Sequence, residues 1–591
     1  MVCILTAAEK SRKFYISRNV TRNFCFPATV ELGTKILTKK TRLKLIILTV
    51  TVLLAAGCSG ERSEELAASP EGHSGVLRGI VTDSSGLPVA GAFVRLDSTD
   101  ERLTFMVISQ EAGRYTADRL PAGSYVVQAI GNDFESPSAA TVDVSEQTSA
   151  QMDLALIVLR APDLPAAWPR RFPEHLSSAS SLPEGRGKEI IMTRCTGCHT
   201  EATIVRRRVD RETWEASITE MRELMVSGDL PDLTEEDVAV LVDYLTANLP
   251  PMPAPDPNSR LPRALMQGEA MNYRVVQYNL ENEVAEAHDV AVDPWGIGWA
   301  NQRTGGKISR FDPVTYEYRE IGPPLYTAKR ARPGNLQISR DGIMWLPDPF
   351  ETRWLSYDIA ADEWTDWPFP ADEIRGQVQG NSMALHQDGT IWSSGPGAAR
   401  RLNPVTGEWR AWDTPTWTRT QENPGGYGMT VAGDGRVWMA ENRADILARF
   451  DGETGEVVEF DIPVEGIAYP RRMDHDREGN VWVGLWGAGK ILKIDQHTAE
   501  MTVIDPPIPY NGAYSIDFDE KNDLLWVTLQ TIDMFARYNP RTEEWLLLPL
   551  PQSETDARRI EVDQNNPNRV WWSSTSNFAR IGFVELLDND S

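Results

Sequence analysis

The chain has 591 residues, several domains' worth at the usual ~100–200 residues each, and its 41% hydrophobic and 24% charged content is that of globular protein. Five cysteines are too few for a disulfide-built scaffold. The net charge is −26, and residues 1–57 carry 10 basic against 2 acidic groups, so the remainder is more acidic still and nucleic acid is excluded as a partner.

The first element is an address. Lys39-Lys40-Thr41-Arg42-Leu43-Lys44 is a basic run, followed by an apolar stretch from Leu45 to Ala56. Twelve residues are too few to span ~30 Å of hydrocarbon but suit the core of a signal peptide. The ending Leu54-Ala55-Ala56-Gly57-Cys58 resembles the lipobox of bacterial lipoproteins. That resemblance implies removal of residues 1–57, lipidation of Cys58, and a membrane anchor facing the periplasm. Residues 58–74 then form a polar tether. Residues 1–35 fit no targeting element and point to a start codon assigned too far upstream.

Residues 75–158 alternate apolar and polar with regular turn signals, an all-β pattern. Gly79-Ile-Val-Thr-Asp83, Gly86-Leu-Pro88-Val-Ala-Gly91, Gly113-Arg-Tyr115 and Gly123-Ser-Tyr125 resemble the carboxypeptidase regulatory-like domain, a transthyretin-type sandwich. Val81, Val94 and Tyr125 are expected in its core. The resemblance implies no catalytic residues, only a spacer or protein-contact role.

After a Pro-rich linker (159–182), residues 183–249 carry Arg194-Cys195-Thr-Gly-Cys198-His199. Two thiols at this spacing can add to the two vinyl groups of a haem, with the adjacent histidine beneath the iron. A thioredoxin-type pair lacks its βαβ context, and a zinc site lacks further ligands. The expectation is one covalent haem c held by Cys195 and Cys198, with His199 as an axial iron ligand, in a small all-α domain resembling class I cytochromes c. Gly185–Met192 reads as its first helix. Thr234-Glu-Glu-Asp237 reads as a capping box opening a last helix with Val238, Leu241, Val242, Leu245 and Leu249 on one side. Met221, seven residues after Trp214, is the expected sixth ligand, with Met225 as the alternative. The Arg206-Arg207-Arg208 run could face haem propionates or plain solvent.

A second Pro-rich linker (250–272) leads to residues 273–585, where Trp299, Trp345, Trp392, Trp438, Trp482, Trp526 and Trp571 recur every 44–47 residues. A second signature follows each by a few strands' length, as in Arg310-Phe-Asp312, Arg401-Leu-Asn403 and Arg449-Phe-Asp451. This period predicts a seven-bladed β-propeller, with Tyr273–Leu280 completing the seventh blade and closing the ring. The fold class is thus multidomain and mainly β: sandwich, small helical domain, propeller.

The repeat resembles the virginiamycin B (streptogramin) lyase-like propeller, whose members use a divalent cation with a histidine base. Of that family's recurring Trp-x-x-Glu only Trp438-Met-Ala-Glu441 is clear, and no lyase site can be placed residue by residue. Just ahead of the innermost strands stand His288, Asn335, Asn381, Tyr427, Arg472, Tyr514 and Arg559. Equivalent positions converge on one channel mouth, where His288 is expected as a base and Arg472 and Arg559 as clamps for a small anion. The same positions would also serve as solvated loop ends. His386, His475 and His497 fall at surface turns.

Two functions follow. In one, the propeller binds or oxidises a small anionic substrate and the haem accepts its electrons. In the other, the propeller is a docking platform for a redox partner protein and the chain is an electron carrier. A streptogramin-type lyase is disfavoured, since elimination has no use for an electron acceptor. A quinone-cofactor propeller is disfavoured by its usual eight blades.

Overall fold

The computed structural model describes residues 72–158 (without 132–133 and 137–139), 182–195, 204, 209–227, 233–249 and 265–587 (without 283–284, 371–379, 509–510, 553–554 and 576–578). Among the described residues no helix is long and apolar enough to cross a membrane.

Residues 273–586 close into a ring. Six four-stranded antiparallel sheets follow one another, the first from Ala287–Val292 to Tyr318–Ile321 and the sixth from Ala513–Asp519 to Glu544–Pro549. The seventh blade is made by Ala557–Val562, Arg569–Ser574 and Arg580–Leu586, with the strand Tyr273–Asn279 added to its outer edge, Val276 opposite Phe583. The first and last strands of the propeller therefore lock the ring.

Both repeat signatures are packing devices. The seven tryptophans are all buried, five of them at 1% exposure or less. The arginine of the second signature lies opposite the tryptophan on the next strand, and its guanidinium sits over the indole: Arg310 on Trp299 at 6.0 Å, Arg401 on Trp392 at 5.8 Å, Arg449 on Trp438 at 5.7 Å. The Asp or Asn two residues on caps the turn. Asp312 Oδ1, for example, accepts from the Val314 and Thr315 amides at 2.9 and 3.1 Å.

The sandwich forms as expected, with Val81, Val94 and Tyr125 at 0–1% exposure. It is not a spacer, however. Its strand Leu103–Ile108 pairs with the free side of Tyr273–Asn279, Phe105 opposite Val276, so one ten-stranded sheet runs from sandwich to seventh blade. The two cores merge: Leu77, Val94 and Phe105 share a cluster with Val276, Trp571 and Phe583. An ion cluster with Arg274 and Glu585 buried at its centre joins the seam, Arg274 bonding Asp118 at 3.0 Å and Glu585, while the more exposed Arg119 bonds Glu585 at 2.7 Å. Sequence-local alternation specifies each strand, but the choice of partner across this edge is made by strands 170 residues apart.

The described residues within 182–249 include three helices, α1 (Arg186–Thr193), α2 (Arg211–Ser227) and α3 (Glu235–Asn248). Thr234 caps α3 in a capping box, its Oγ1 accepting from the Asp237 amide at 3.1 Å and its own amide donating to Asp237 at 3.2 Å. Leu241, Val242, Leu245 and Leu249 are buried and Val238 half-buried, the expected face.

Candidate functional site

The helical segment is a compact cluster around Ile190, Ile191, Trp214, Ile218, Met225, Leu241 and Leu245. Its tightest contact is the crossing of α1 and α3 at Gly187, where a Cβ would lie 2.2 Å from Tyr244 Cγ. Only glycine permits that approach. Cys195, just past α1, is half-buried against the same cluster. Cys198 and His199, the lipidation residue Cys58 and the Arg206–Arg208 run lie outside the described residues.

On α2, Trp214, Ile218, Met221 and Met225 fall at i, i+4, i+7 and i+11, one stripe of the helix. Met225 is buried at 5% exposure and Met221 half-buried. The Trp214 indole N–H is buried without a hydrogen-bond partner among the described residues, a donor that the protein itself leaves unused. A half-buried thiol, Cys195, and a buried thioether, Met225, at one cluster are donors compatible with a covalently attached haem, whereas Met221 is not part of that cluster.

Glu220, the neighbour of Met221, faces the other way. It is 5% exposed, with its carboxylate bonded to Arg332 Nε at 2.8 Å and Arg330 at 2.9 Å. Both arginines belong to the loop running from the outer strand of the first blade to the inner strand of the second. Arg332 is buried, which with the nearby Arg303 pulls its guanidinium down to about 10, and its amide donates to Asp348 at 3.1 Å. This loop ends at Asn335, so the helical segment is anchored on the face where the channel opens. Nothing in the sequence marked Glu220, since an acidic residue on a helix reads as solvated until its partners are known.

The channel is best ordered by strand register. The seven repeat tryptophans pair with Ala291, Gln337, Ala384, Thr430, Asp474, Asp517 and Glu561. Two residues before these lies a middle level containing Asp289, Asn335, Ser382, Arg472 and Arg559. One further residue back lies an upper level with His288, Asn381, Tyr427, Arg471, Tyr514 and Arg558. The expected mouth residues do converge on one end of the ring, but they occupy two levels. Asn335, Arg472 and Arg559 lie below the others.

The middle level is closed by ion pairs. Arg472 bonds the Asp289 carboxylate across the channel and Ser382 Oγ at 3.1 Å, while Arg559 bonds Glu561 at 2.8 Å and the Leu336 carbonyl at 2.9 Å. Burial works against the Asp289 charge, but Arg472, His288 and Arg559 together outweigh it and hold the carboxyl well below the usual range. Arg472 and Arg559 are therefore not free clamps for an anion. Their charges are spent on stitching blades together.

His288 is corrected as well. It is 5% exposed, its Nδ1 lies 2.8 Å from Asp289, and burial depresses its pKa to about 3 despite that carboxylate. A ring so hard to protonate is a poor base. Below, Asp474, Asp517 and Glu561 accept the amides of Phe518, Val562 and Val292 at 2.9, 2.6 and 3.0 Å, each stapling the next blade.

The upper level differs. Tyr427 and Tyr514 hydrogen-bond hydroxyl to hydroxyl, and Arg471 and Arg558 both reach solvent as half-buried side chains. Glu441, of the Trp-x-x-Glu sequence, lies elsewhere in the fourth blade at 0% exposure, its oxygens without hydrogen-bond partners, and burial pushes its carboxyl up to about 9. It is neutral at physiological pH. Among the described residues no group of three or more His, Cys, Asp or Glu side chains could hold a metal ion, so the divalent-cation expectation finds no donor set there. His386 bridges two blades at a turn, Nε2 lying 2.9 Å from the Gly435 carbonyl, and His497 also sits at a turn, but His475 is the last residue of the strand Pro470–His475, opposite Val481, and not a turn residue.

Residues 76–157 match the carboxypeptidase regulatory-like domain family. Among solved structures, a streptogramin B lyase is similar at 20% identity over 54% of this chain and 100% of its own, with a TM-score of 0.47. The selenomethionine-substituted virginiamycin B lyase from Staphylococcus aureus is similar at 18% identity, 53% and 100% coverage and a TM-score of 0.46. These likenesses concern the propeller fold alone. A comparison with curated proteins found no match.

Proposed function

We propose that the chain is an exported, lipid-anchored, periplasm-facing monohaem c-type cytochrome that carries electrons to or from a redox partner protein, with the propeller as its rigid platform. Cys195-Thr-Gly-Cys198-His199 behind a secretory leader carries this reading. The Gly187–Tyr244 crossing and the unused Trp214 N–H support it. Haem held by Cys195, Cys198 and His199, with Met221 as sixth ligand, would supply one-electron transfer. The chain's own residues do the rest. Trp214 offers a hydrogen bond to the group, the apolar stripe of α2 excludes water, and Glu220 fixes this helix on the channel face, so that whatever docks at the mouth meets the haem segment rather than a mobile tether.

The carboxylate-paired Arg472 and Arg559 favour the electron-carrier reading over turnover inside the channel. The test is the purified full chain from membranes. Denaturing electrophoresis should retain the haem signal, Cys195→Ala with Cys198→Ala should lose it, and Met221→Ala should keep covalent haem but lose the far-red thioether-to-iron band. A chain without covalent haem would sink the reading. Loss of the band in Met225→Ala instead would transfer the ligand role to Met225. An N-terminal peptide without a lipid adduct on Cys58 would remove the anchor.

A further inference from the structure

The upper level of the channel holds a cation that no carboxylate among the described residues pairs with. Arg471 stands one residue ahead of Arg472, and its guanidinium is walled by four rings: Tyr469 at 4.3 Å, Tyr427 at 4.5 Å, Trp486 at 5.0 Å and Tyr514 at 5.1 Å. No carboxylate among the described residues pairs with it, and its Nε is buried without a hydrogen-bond partner. The other three channel arginines each have one: Arg472 pairs with Asp289, Arg559 with Glu561 and Arg558 with Asp556 at 3.1 Å. Among the described residues, Arg471 is thus the one of these four guanidiniums with no carboxylate paired to it. Tyr427 responds to the same field. Burial works to raise its phenol, yet Arg471, Arg472 and Arg558 outweigh burial and hold it below its ordinary value.

We infer that this cup binds a small organic monocarboxylate whose apolar body lies against Tyr469 and Trp486. The planar guanidinium fork matches a carboxylate bidentately. The hydroxyl pair of Tyr427 and Tyr514 holds two protons and uses one between them, so one O–H remains to be donated to the ligand. A single guanidinium without a described carboxylate partner suits a monoanion, whereas a phosphate dianion would bring a second charge for it to neutralise. The mostly buried aromatic walls supply the apolar area that a fully hydrated inorganic ion cannot use. This extends the platform role proposed above, but its test involves no haem, so the two readings fail separately.

The full chain is titrated calorimetrically at pH 7 with benzoate, its neutral isostere benzamide, and inorganic phosphate. Saturable one-to-one benzoate binding is expected, with benzamide and phosphate weaker by about tenfold or more, the loss of a charge-assisted contact of ~1.4 kcal/mol. Arg471→Gln should lose benzoate binding by a similar factor. Arg471→Lys, which keeps the charge and loses the fork, should fall between. Thermal unfolding verifies that both variants fold. Absence of benzoate binding, phosphate binding as tight as benzoate, or an Arg471→Gln variant that binds like the parent would each overturn the inference.

Discussion

Glu441 offers a quantitative check on the packing of the fourth blade. Its carboxyl is buried and shifted from 4.5 to about 9, with desolvation as the main cause and the Glu459 carboxylate adding to it, while Thr414 acts in the opposite direction. In the unfolded chain the group ionises near 4.5. Between that pH and about 9 the folded chain therefore holds a proton that the unfolded chain has released, and stability falls as pH rises. The slope is about 1.4 kcal/mol per pH unit, so from pH 4.5 to pH 8 this one group costs about 4–5 kcal/mol. Glu441→Gln keeps the shape and removes the titration. Its amide can also donate toward Glu459, which the ionised carboxylate cannot. Urea unfolding of both proteins at pH 5 and pH 8, followed by tryptophan fluorescence, gives a double difference free of all other titrating groups. The variant should match the parent within about 1 kcal/mol at pH 5 and exceed it by several kcal/mol at pH 8. Parallel pH profiles for the two proteins would refute the assignment of a neutral buried carboxyl at this position.

Three further outcomes are expected. Glu220→Ala removes the carboxylate bonded to the buried Arg332 and to Arg330 and should cost the docking of α2 about 3–5 kcal/mol, seen as faster hydrogen exchange in residues 211–227; unchanged protection would mean the anchor does not hold the helix. Phe105→Ala, a substitution in the sandwich, should destabilise the propeller transition by about 3–5 kcal/mol, because Phe105 packs edge-on to Tyr316 at 5.4 Å and lies in the shared core; an unaffected propeller transition would mean the two domains unfold separately. The His288 ring should stay neutral in an NMR pH titration down to about pH 4, since burial sets its pKa near 3; protonation near its ordinary 6.5 would show that the channel level around it is open to water.

Periodicity made much of this molecule legible. The tryptophan spacing predicts the number of blades and the strand that closes the ring, because each repeat is one supersecondary unit whose apolar face only a neighbour can cover. The α3 capping box and the core residues Val81, Val94 and Tyr125 are equally local, since hydrogen bonds three residues apart and alternation along one strand need no partner to be recognised. The Cys-x-x-Cys-His spacing belongs to the same class, as its chemistry lies within five residues.

What only the tertiary structure decided is where strands and charges meet. The pairing of Leu103–Ile108 with Tyr273–Asn279 joins segments with a whole helical domain between them, and no local pattern names that partner. The channel levels were hidden by turn length: eight residues separate the inner-strand partner from the tryptophan in the first five blades, nine in the sixth and ten in the seventh. In the sixth and seventh blades a constant count back from the tryptophan therefore slides between levels, whereas in the fifth, of ordinary spacing, a count of ten selected Arg472 where a count of eleven gives Arg471. Because side chains alternate along a strand, one residue of slippage exchanges an arginine spent on Asp289 for one facing four aromatic rings, and charge compensation, being a property of positions in space, decides which of the two is left for a ligand.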